Sequence, residues 1–300
     1  MHIHIITNFD SGKGHAKNRL LEIMSILREK NHVTITPTGT IEQTISKVSE
    51  LATDGCELII SAGGDGTLNA CINGIMHAKN KNPSNKTVLG IIPLGVSNVF
   101  ALEADIPMDP IKACRALISY QTKKTDLIKI CTPFTRYFIS MAGIGFDAQV
   151  VKSFKPKLKK IVGGKLAHIL TGIPVLLKYN PTKFSLVCDN TQPPLSGYFA
   201  IIGNIKSYGG RFRITSHANL DDGLLHICLF KGPRRRDLLR YIWGIIIGKH
   251  LSFDDVEYLR TKAVKLQYEG NLWAQVDGDS LEIMPSEFEI CPKAIDMLLP

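Results

Sequence analysis

No two cysteines form a Cys-x-x-Cys pair, and the seven present, at 56, 71, 114, 131, 188, 228 and 291, are odd in number. Neither a disulfide framework nor a cysteine-rich zinc site is suggested by that pattern. The thiols read as small buried hydrophobes in a reducing compartment. Long apolar runs are also missing. Residues 242–247 are too few to span a bilayer, and 166–177 are interrupted by His168, Thr171 and Pro174. The N-terminus alternates His and Ile before polar Thr7-Asn8, with neither a charged leader nor a long apolar core of a targeting segment. The expectation is a cytoplasmic protein, peripherally membrane-associated at most. There is no internal repeat and no low-complexity tract. Neither a GxGxxG at the first strand–helix turn nor a GxxxxGK[ST] anywhere is found, so two common nucleotide signatures are absent.

What is there is an ordinary globular profile. The chain has 300 residues, 44% hydrophobic and 21% charged, enough for two domains with sizeable cores. Its net charge of +9 favours anionic partners: nucleotides, nucleic acid or acidic lipid headgroups. The basic residues are densest at Lys152, Lys155, Lys157, Lys159 and Lys160, then at Lys231 with Arg234, Arg235 and Arg236. Few aromatics accompany them and no recognition-module motif is present, so no nucleic-acid partner is expected.

Over residues 1–125, strand and helix patterns alternate. Apolar runs at 2–6, 57–62 and 87–93 and a β-branched stretch at 32–36 read as strands. Helical spacing marks 15–30, 41–52, 67–77 and 110–120. Such units build a parallel sheet with helices on both faces. Over 126–286 the rhythm becomes strand-rich, with strands expected at 126–131, 136–142, 183–189, 197–203, 224–230, 263–267 and 281–283. Helices are expected only at 159–179 and 235–250. A β-rich second domain follows.

The strongest local signal is Ser61-Ala-Gly63-Gly64-Asp65-Gly66-Thr67-Leu68-Asn69, which follows an apolar strand and opens a helix. Glycines let the backbone approach a ligand, and a helix start offers N–H groups to phosphate. Asp65 repels an anion, so it either fixes the loop by accepting N–H bonds or helps place a metal. Two more polar glycine loops follow strands: Asn8 to Gly14, and Pro93-Leu94-Gly95-Val96-Ser97-Asn98. In open parallel sheets such ends form the ligand crevice.

These segments, in this order, resemble the diacylglycerol kinase catalytic-domain family, and within it the soluble bacterial lipid kinases related to sphingosine and ceramide kinases. The resemblance spans nearly the whole chain. It implies a nucleotide-binding α/β domain over 1–125, related to that of NAD kinases and phosphofructokinases, and a β-sandwich over 126–286. It also implies that residues 287–300 return to the first domain and that the active site lies in a cleft between the two. The implied reaction moves the γ-phosphoryl group of ATP to a lipid hydroxyl with Mg²⁺, which makes a lipid acceptor and an anionic membrane surface the implied partners.

Matched residue by residue, Gly63, Gly64, Asp65, Gly66, Thr67, Leu68, Asn69, Gly95, Val96 and Asn98 face ATP, joined by Thr38 on a looser alignment. Asp277, in Val276-Asp277-Gly278-Asp279, matches the general base; on local sequence alone it reads first as a turn-forming Asp-Gly. Asp222 supplies a carboxylate, and Asn219 and Leu224 supply carbonyls, to a structural Mg²⁺. Gly209-Gly210 fits the glycine-rich loop before that site. Three positions depart from the family pattern: Val96 lacks a hydroxyl, Val99 replaces an aspartate, and Asp279 replaces a glutamate. Two alternatives stay open: an NAD kinase-like enzyme sharing GGDGT, and a catalytically weak lipid- or nucleotide-binding protein. Oligomeric state is not set by the sequence, and a homodimer stays open.

Overall fold

The computed structural model describes residues 2–7, 15–29, 31–131, 135–153, 176, 179–188, 193–209 and 212–300. It divides into two compact units, Met1–Leu127 with Lys293–Pro300, and Ile128–Pro292.

The first unit runs β1 (His2–Thr7), α1 (His15–Arg28), β2 (His32–Pro37), α2 (Ile41–Thr53), β3 (Leu58–Gly63), α3 (Asp65–Lys81), β4 (Val88–Pro93), α4 (Val99–Glu103), α5 (Pro110–Leu117) and into β5 (Gln121–Cys131). Strands β1 to β4 are mutually parallel in the order β2-β1-β3-β4. Every residue of β3 is buried, as its unbroken apolar run requires. One sheet face packs Ile3, Ile5, Leu58 and Ile60 against Leu20, Ile23 and Leu27 of α1 and Cys114 and Leu117 of α5. Helices α2 and α3 pack together, with Gly74 so close to Val48 that a Cβ there would stand 2.6 Å from the valine Cβ. Caps set the helix starts. Thr40 accepts from Gln43 N–H at the head of α2, and Asp109 accepts from Ile111 and Lys112 N–H ahead of Pro110 in α5.

The second unit contains β6 (Arg136–Phe138), β7 (Met141–Ile144), α6 (Phe146–Ser153), β8 (Phe184–Cys188), β9 (Leu195–Gly197), β10 (Phe199–Gly203), β11 (Ser207–Tyr208), β12 (Phe212–Arg213) and β13 (Leu225–Phe230). Then come α7 (Arg235–Ile246), a 3₁₀ turn (His250–Ser252), β14 (Val256–Thr261), β15 (Ala263–Tyr268), β16 (Ala274–Val276), β17 (Asp279–Ser280) and β18 (Glu287–Leu299). One antiparallel layer has the order β14-β13-β10-β7-β16-β17. In the other, β15 lies between β8 and the N-terminal half of β18. Phe138, Ile202, Ile227, Leu229, Leu266, Val276 and Phe288 fill the core between the layers, which makes this unit a β-sandwich.

The chain passes between units twice, within β5 and within β18. The C-terminal half of β18 belongs to the first unit, where Asp296 and Met297 pair in parallel with Val88 and Leu89 of β4. Lys79 Nζ holds Asp296 at 3.0 Å, and Lys293 N–H donates to Asp126 Oδ1 at 2.7 Å.

Several elements differ from the sequence expectation, each for a local reason. Helix α3 begins at Asp65, two residues before the expected start, because Gly64 is its N-cap. The strand expected at 136–142 is broken at Ile139 and Ser140, whose N–H groups turn to the Asp277 carboxylate. No strand forms at 281–283; the hairpin closes at Ser280 and pairing resumes at Glu287. Helix α7 stops at Ile246, where Ile247 caps it and Gly248 turns to positive φ. Helices α4 and α6 and strand β14 lack a strong periodic pattern and were not expected. The glycine loop at 8–14, the lysines at 155–160, Gly210 and nearly all of the helix expected at 159–179 lie outside the described residues.

Candidate functional site

The loops after β3 and β4 lie side by side. Leu94 N–H and Gly95 N–H both donate to Gly63 O, at 2.9 and 3.2 Å. Gly95 and Gly64 touch through their backbones: a Cβ on Gly95 would stand 2.5 Å from Gly64 Cα. Gly63 is equally closed in, with Thr67 Oγ1 at 2.4 Å from a built Cβ, whereas Gly66 is exposed with open space around it. Gly64 adopts an extended N-cap conformation and has no side chain to answer the first N–H groups of α3. A helix start left in that state carries positive potential and free donors, which suits an anion.

Two polar side chains lock this cradle. Asp65 Oδ1 accepts from Phe100 N–H at 3.3 Å, in the first turn of α4. Asp65 therefore supplies a cap that α4 lacks, because Asn98, the N-cap itself, is left-handed (φ 46°) and makes no capping bond. This contact is of the loop-holding kind that the sequence leaves open for Asp65. Asn98 donates from Nδ2 to Gly95 O at 2.9 Å, while its Oδ1 is buried with no hydrogen-bond partner among the described residues. Ser61, Gly63, Gly64, Asp65, Leu68 and Asn98 line a small cavity here.

The other matched positions are placed unequally. Val96 is 70% exposed on the rim of the loop. Leu68 and Asn69 are buried, and Asn69 Oδ1 and O both accept from Asn73 Nδ2 within α3. Thr38 follows β2 at the same end of the sheet. It is buried, its N–H donates to Thr7 O at 2.9 Å, and its Oγ1 lies 2.7 Å from Thr44 Oγ1.

In the second unit, Asp277 and Gly278 form the two-residue turn of the β16–β17 hairpin, with φ of 47° and 87°. Positive φ at both positions defines the mirror-image turn that suits a hairpin's twist. The Asp277 carboxylate accepts from Met141 N–H at 2.9 Å, Ser140 N–H at 3.1 Å and Ile139 N–H at 3.3 Å, and Asp277 N–H donates to Met141 O. The carboxylate is thus held in one orientation by backbone dipoles. Beside it, Asp279 pairs with Arg136 at 2.8 Å, so the shorter side chain at this position still reaches a cation.

Sequence reasoning missed the group that supports this turn. Gly278 N–H donates to Gln275 Oε1 at 2.8 Å, Gln275 Nε2 donates to Asp147 Oδ2 at 2.7 Å, and Tyr208 OH donates to Asp147 Oδ1. Burial pushes the Asp147 carboxyl up, against the two hydrogen bonds that favour its ionised form. The Tyr208 hydroxyl is also raised, by burial first and then by the Asp147 charge. A small side chain at 143 is the one signal that was available, since a Cβ there would stand 2.1 Å from Asp147 Oδ2.

The loop matched to a metal site is tied differently. Asp222 Oδ1 accepts from Leu224 N–H at 3.0 Å, Gly223 takes positive φ, and Asn219 Oδ1 accepts from Leu220 N–H. Asp222 Oδ2 lies 2.8 Å from Nε2 of buried His226, whose Nδ1 lies 2.8 Å from Tyr258 OH. Both carboxylate oxygens are therefore engaged by protein groups. Among the described residues no three acidic, His or Cys side chains gather as metal ligands. The Asp222 carboxylate is thus held between Leu224 N–H and the His226 imidazole.

A parallel α/β unit with a backbone cradle at a helix start, followed by a β-sandwich, is a class of fold whose ligand crevice lies beyond the carboxyl ends of the parallel strands. Comparison with known proteins narrows it. Residues 2–130 match the diacylglycerol kinase catalytic domain, and residues 140–299 match the YegS C-terminal NAD kinase beta sandwich-like domain. The chain belongs to this diacylglycerol kinase family. It is 27% identical over 298 residues to the diacylglycerol kinase of Bacillus subtilis (strain 168), covering 99% of this chain and 95% of that one. It is 28% identical over 297 residues to the diacylglycerol kinase of Staphylococcus aureus (strain bovine RF122 / ET3-1), covering 99% and 91%. A crystal structure of a diacylglycerol kinase from Bacillus anthracis str. Sterne superposes with TM-score 0.73 at 20% identity, covering 100% of this chain and 96% of that one. Another from the same strain reaches 0.80 at 22% identity, covering 100% and 95%. These structural likenesses speak to the fold.

Proposed function

We propose that the protein is a lipid kinase that transfers the γ-phosphoryl group of ATP, bound as its Mg²⁺ complex, to the hydroxyl of a diacylglycerol-like lipid. The observation that carries this reading is the start of α3, where the N-cap Gly64 has no side-chain capping bond and meets Gly95 backbone to backbone. Phosphoryl transfer depends on positioning and charge neutralisation more than on covalent help. In this reading Gly63, Gly64, Gly66 and Thr67 cradle the phosphates, with Asp65 and Asn98 holding the loops in register. Gly95, Val96 and Thr38 border the nucleotide, while Leu68 and Asn69 support the cradle from inside the unit. Asp277 accepts the proton of the attacking hydroxyl. Its hairpin turn and the Asp147–Gln275 relay fix its direction in advance.

One observation favours a weaker alternative. A carboxylate that accepts three N–H bonds is also a sufficient turn lock, which suits a binding protein with little turnover. Transfer of labelled γ-phosphate into mixed-micelle lipids decides between them, with NAD as a separate acceptor. Asp277→Asn is expected to lower transfer about 10²–10⁴-fold. It is also expected to lower stability by about 1–3 kcal/mol, because an amide nitrogen then faces a backbone N–H. A folded Asp277→Asn protein with unchanged transfer removes Asp277 from the mechanism. Absence of labelled lipid despite ATP binding supports the weak-binding alternative, and labelled NAD overturns the lipid acceptor.

A further inference from the structure

Helix α7 has two unlike faces. Leu238, Tyr241 and Gly244 are buried, and Gly244 is pressed so closely on Phe253 that a Cβ would stand 2.5 Å from its ring. The other face carries large apolar side chains into solvent: Leu239 at 55% exposure, Trp243 at 62%, Ile246 at 52%, and Ile247 just past the end at 45%. At about 100° per residue these four project within an arc of roughly 100°. Arg235, Arg236 and Arg240 share that side of the helix. Its one acidic residue, Asp237, points away and accepts from Arg234 N–H at 3.0 Å.

The charges around the stripe are mostly unneutralised. Arg240 pairs with Asp255, and Arg235 gives its Nε–H to Tyr179 O. Among the described residues, Arg234, Arg235, Arg236 and Lys249 are in no ion pair, and all four are exposed. Strand β12 lies beside α7 and adds exposed Phe212 and Arg213. A solvent-facing apolar stripe ringed by basic residues, with a tryptophan among them, is complementary to the headgroup and acyl boundary of an anionic bilayer. The same composition does not suit a second copy of this surface, because the two basic rings would oppose each other.

We propose that α7 is the surface on which the protein docks to anionic lipid bilayers. Leu239, Trp243, Ile246 and Ile247 enter the acyl boundary, and Arg234, Arg235, Arg236 and Lys249 contact headgroup phosphates. The proposal extends the lipid-acceptor reading by naming where the protein meets its substrate's phase. Its test uses no nucleotide, so its failure is distinguishable from failure of that reading.

The chain holds two tryptophans, Trp243 and Trp273. In a Trp273→Phe protein, Trp243 alone reports. The probe is vesicles of phosphatidylcholine with three-tenths phosphatidylglycerol, against pure phosphatidylcholine. A blue shift of Trp243 emission on the anionic vesicles, reversed by salt, is the expected result. Co-sedimentation of the otherwise unchanged protein provides a second measurement. Arg235→Gln with Arg236→Gln is expected to weaken co-sedimentation about thirtyfold. Leu239→Asn with Ile246→Asn, both at exposed positions, is expected to abolish it without moving Tm. No shift with anionic vesicles, or co-sedimentation unchanged in the Leu239→Asn, Ile246→Asn protein, overturns the proposal. So does a shift that develops with protein concentration alone, which would identify a second copy as the occupant.

Discussion

Gly66 and Gly95 separate two reasons for a glycine in a strand-to-helix turn. Gly95 has no room for a methyl, because Gly64 Cα would be 2.5 Å away and backbone does not step aside. Gly95→Ala is expected to lower stability by about 1–3 kcal/mol and to loosen the cradle. Gly66 has open space and an ordinary φ, so Gly66→Ala is expected to leave Tm unchanged. If phosphates approach this loop, the same methyl raises the KM for ATP about tenfold or more, a difference of about 1.4 kcal/mol. Melting curves and ATP titration of the two variants check both statements, and a Gly66→Ala protein with unaltered KM counts against a phosphate at this turn. The sequence made the glycines legible, since GGDGT after an apolar strand has few other uses. It left the task of Asp65 open. The contact this residue makes is with α4, a five-residue helix too short for its spacing to be read, whose first turn takes a cap from Asp65.

At the scale of elements, the contrast between the Asp277 hairpin and the Asp222 loop is instructive. Both are Asp-Gly turns, and local sequence treats them alike. The first is embedded in backbone donors from the break between β6 and β7, a break that no pattern in 136–142 announces. The second is held by His226 and Tyr258, residues whose partnership depends on the antiparallel register of β13 and β14. Strand β14 carries no alternating apolar signal, so this contact was invisible beforehand. A chelator is therefore expected to leave the Tm of the nucleotide-free protein unchanged. His226→Ala is expected to lower it by about 1–3 kcal/mol, because Asp222 and Tyr258 lose a buried partner. Calorimetry with and without EDTA makes the comparison, and a chelator-sensitive Tm in the unaltered protein would instead assign a resident cation to Asp222. The apolar strands and the main helices of the first unit were readable because burial on both sheet faces leaves a nearly continuous hydrophobic run.

For the molecule as a whole, acid is expected to weaken both units, through different histidines. His4 lies beside His2, and burial first, then the charges of His2, Lys47 and His32, depress its pKa below the ordinary 6.5. His250 is depressed by burial; its Nε2 faces Ile214 O, and its Nδ1 is buried with no partner among the described residues to receive a second proton. In both cases the unfolded chain takes up a proton before the folded one. Stability then falls as pH drops through about 6.5 and levels off only below the folded-state values. Denaturant midpoints at pH 8, 6.5 and 5 test this, and His250→Gln is expected to flatten the slope. A midpoint independent of pH across that range would show that neither histidine is depressed.

The return of β18 to the first unit also has a consequence for synthesis. Lys79 waits for Asp296, which is 217 residues further along the chain, and the edge of β4 waits for the same segment. At about 5–20 residues per second, a ribosome needs roughly 10–45 s to deliver it. Throughout that interval the nascent first unit has an open strand edge, and the entire second unit emerges before it can close. Chaperone occupancy on the growing polypeptide should therefore persist until β18 has emerged, rather than ending when the first 127 residues have left the tunnel.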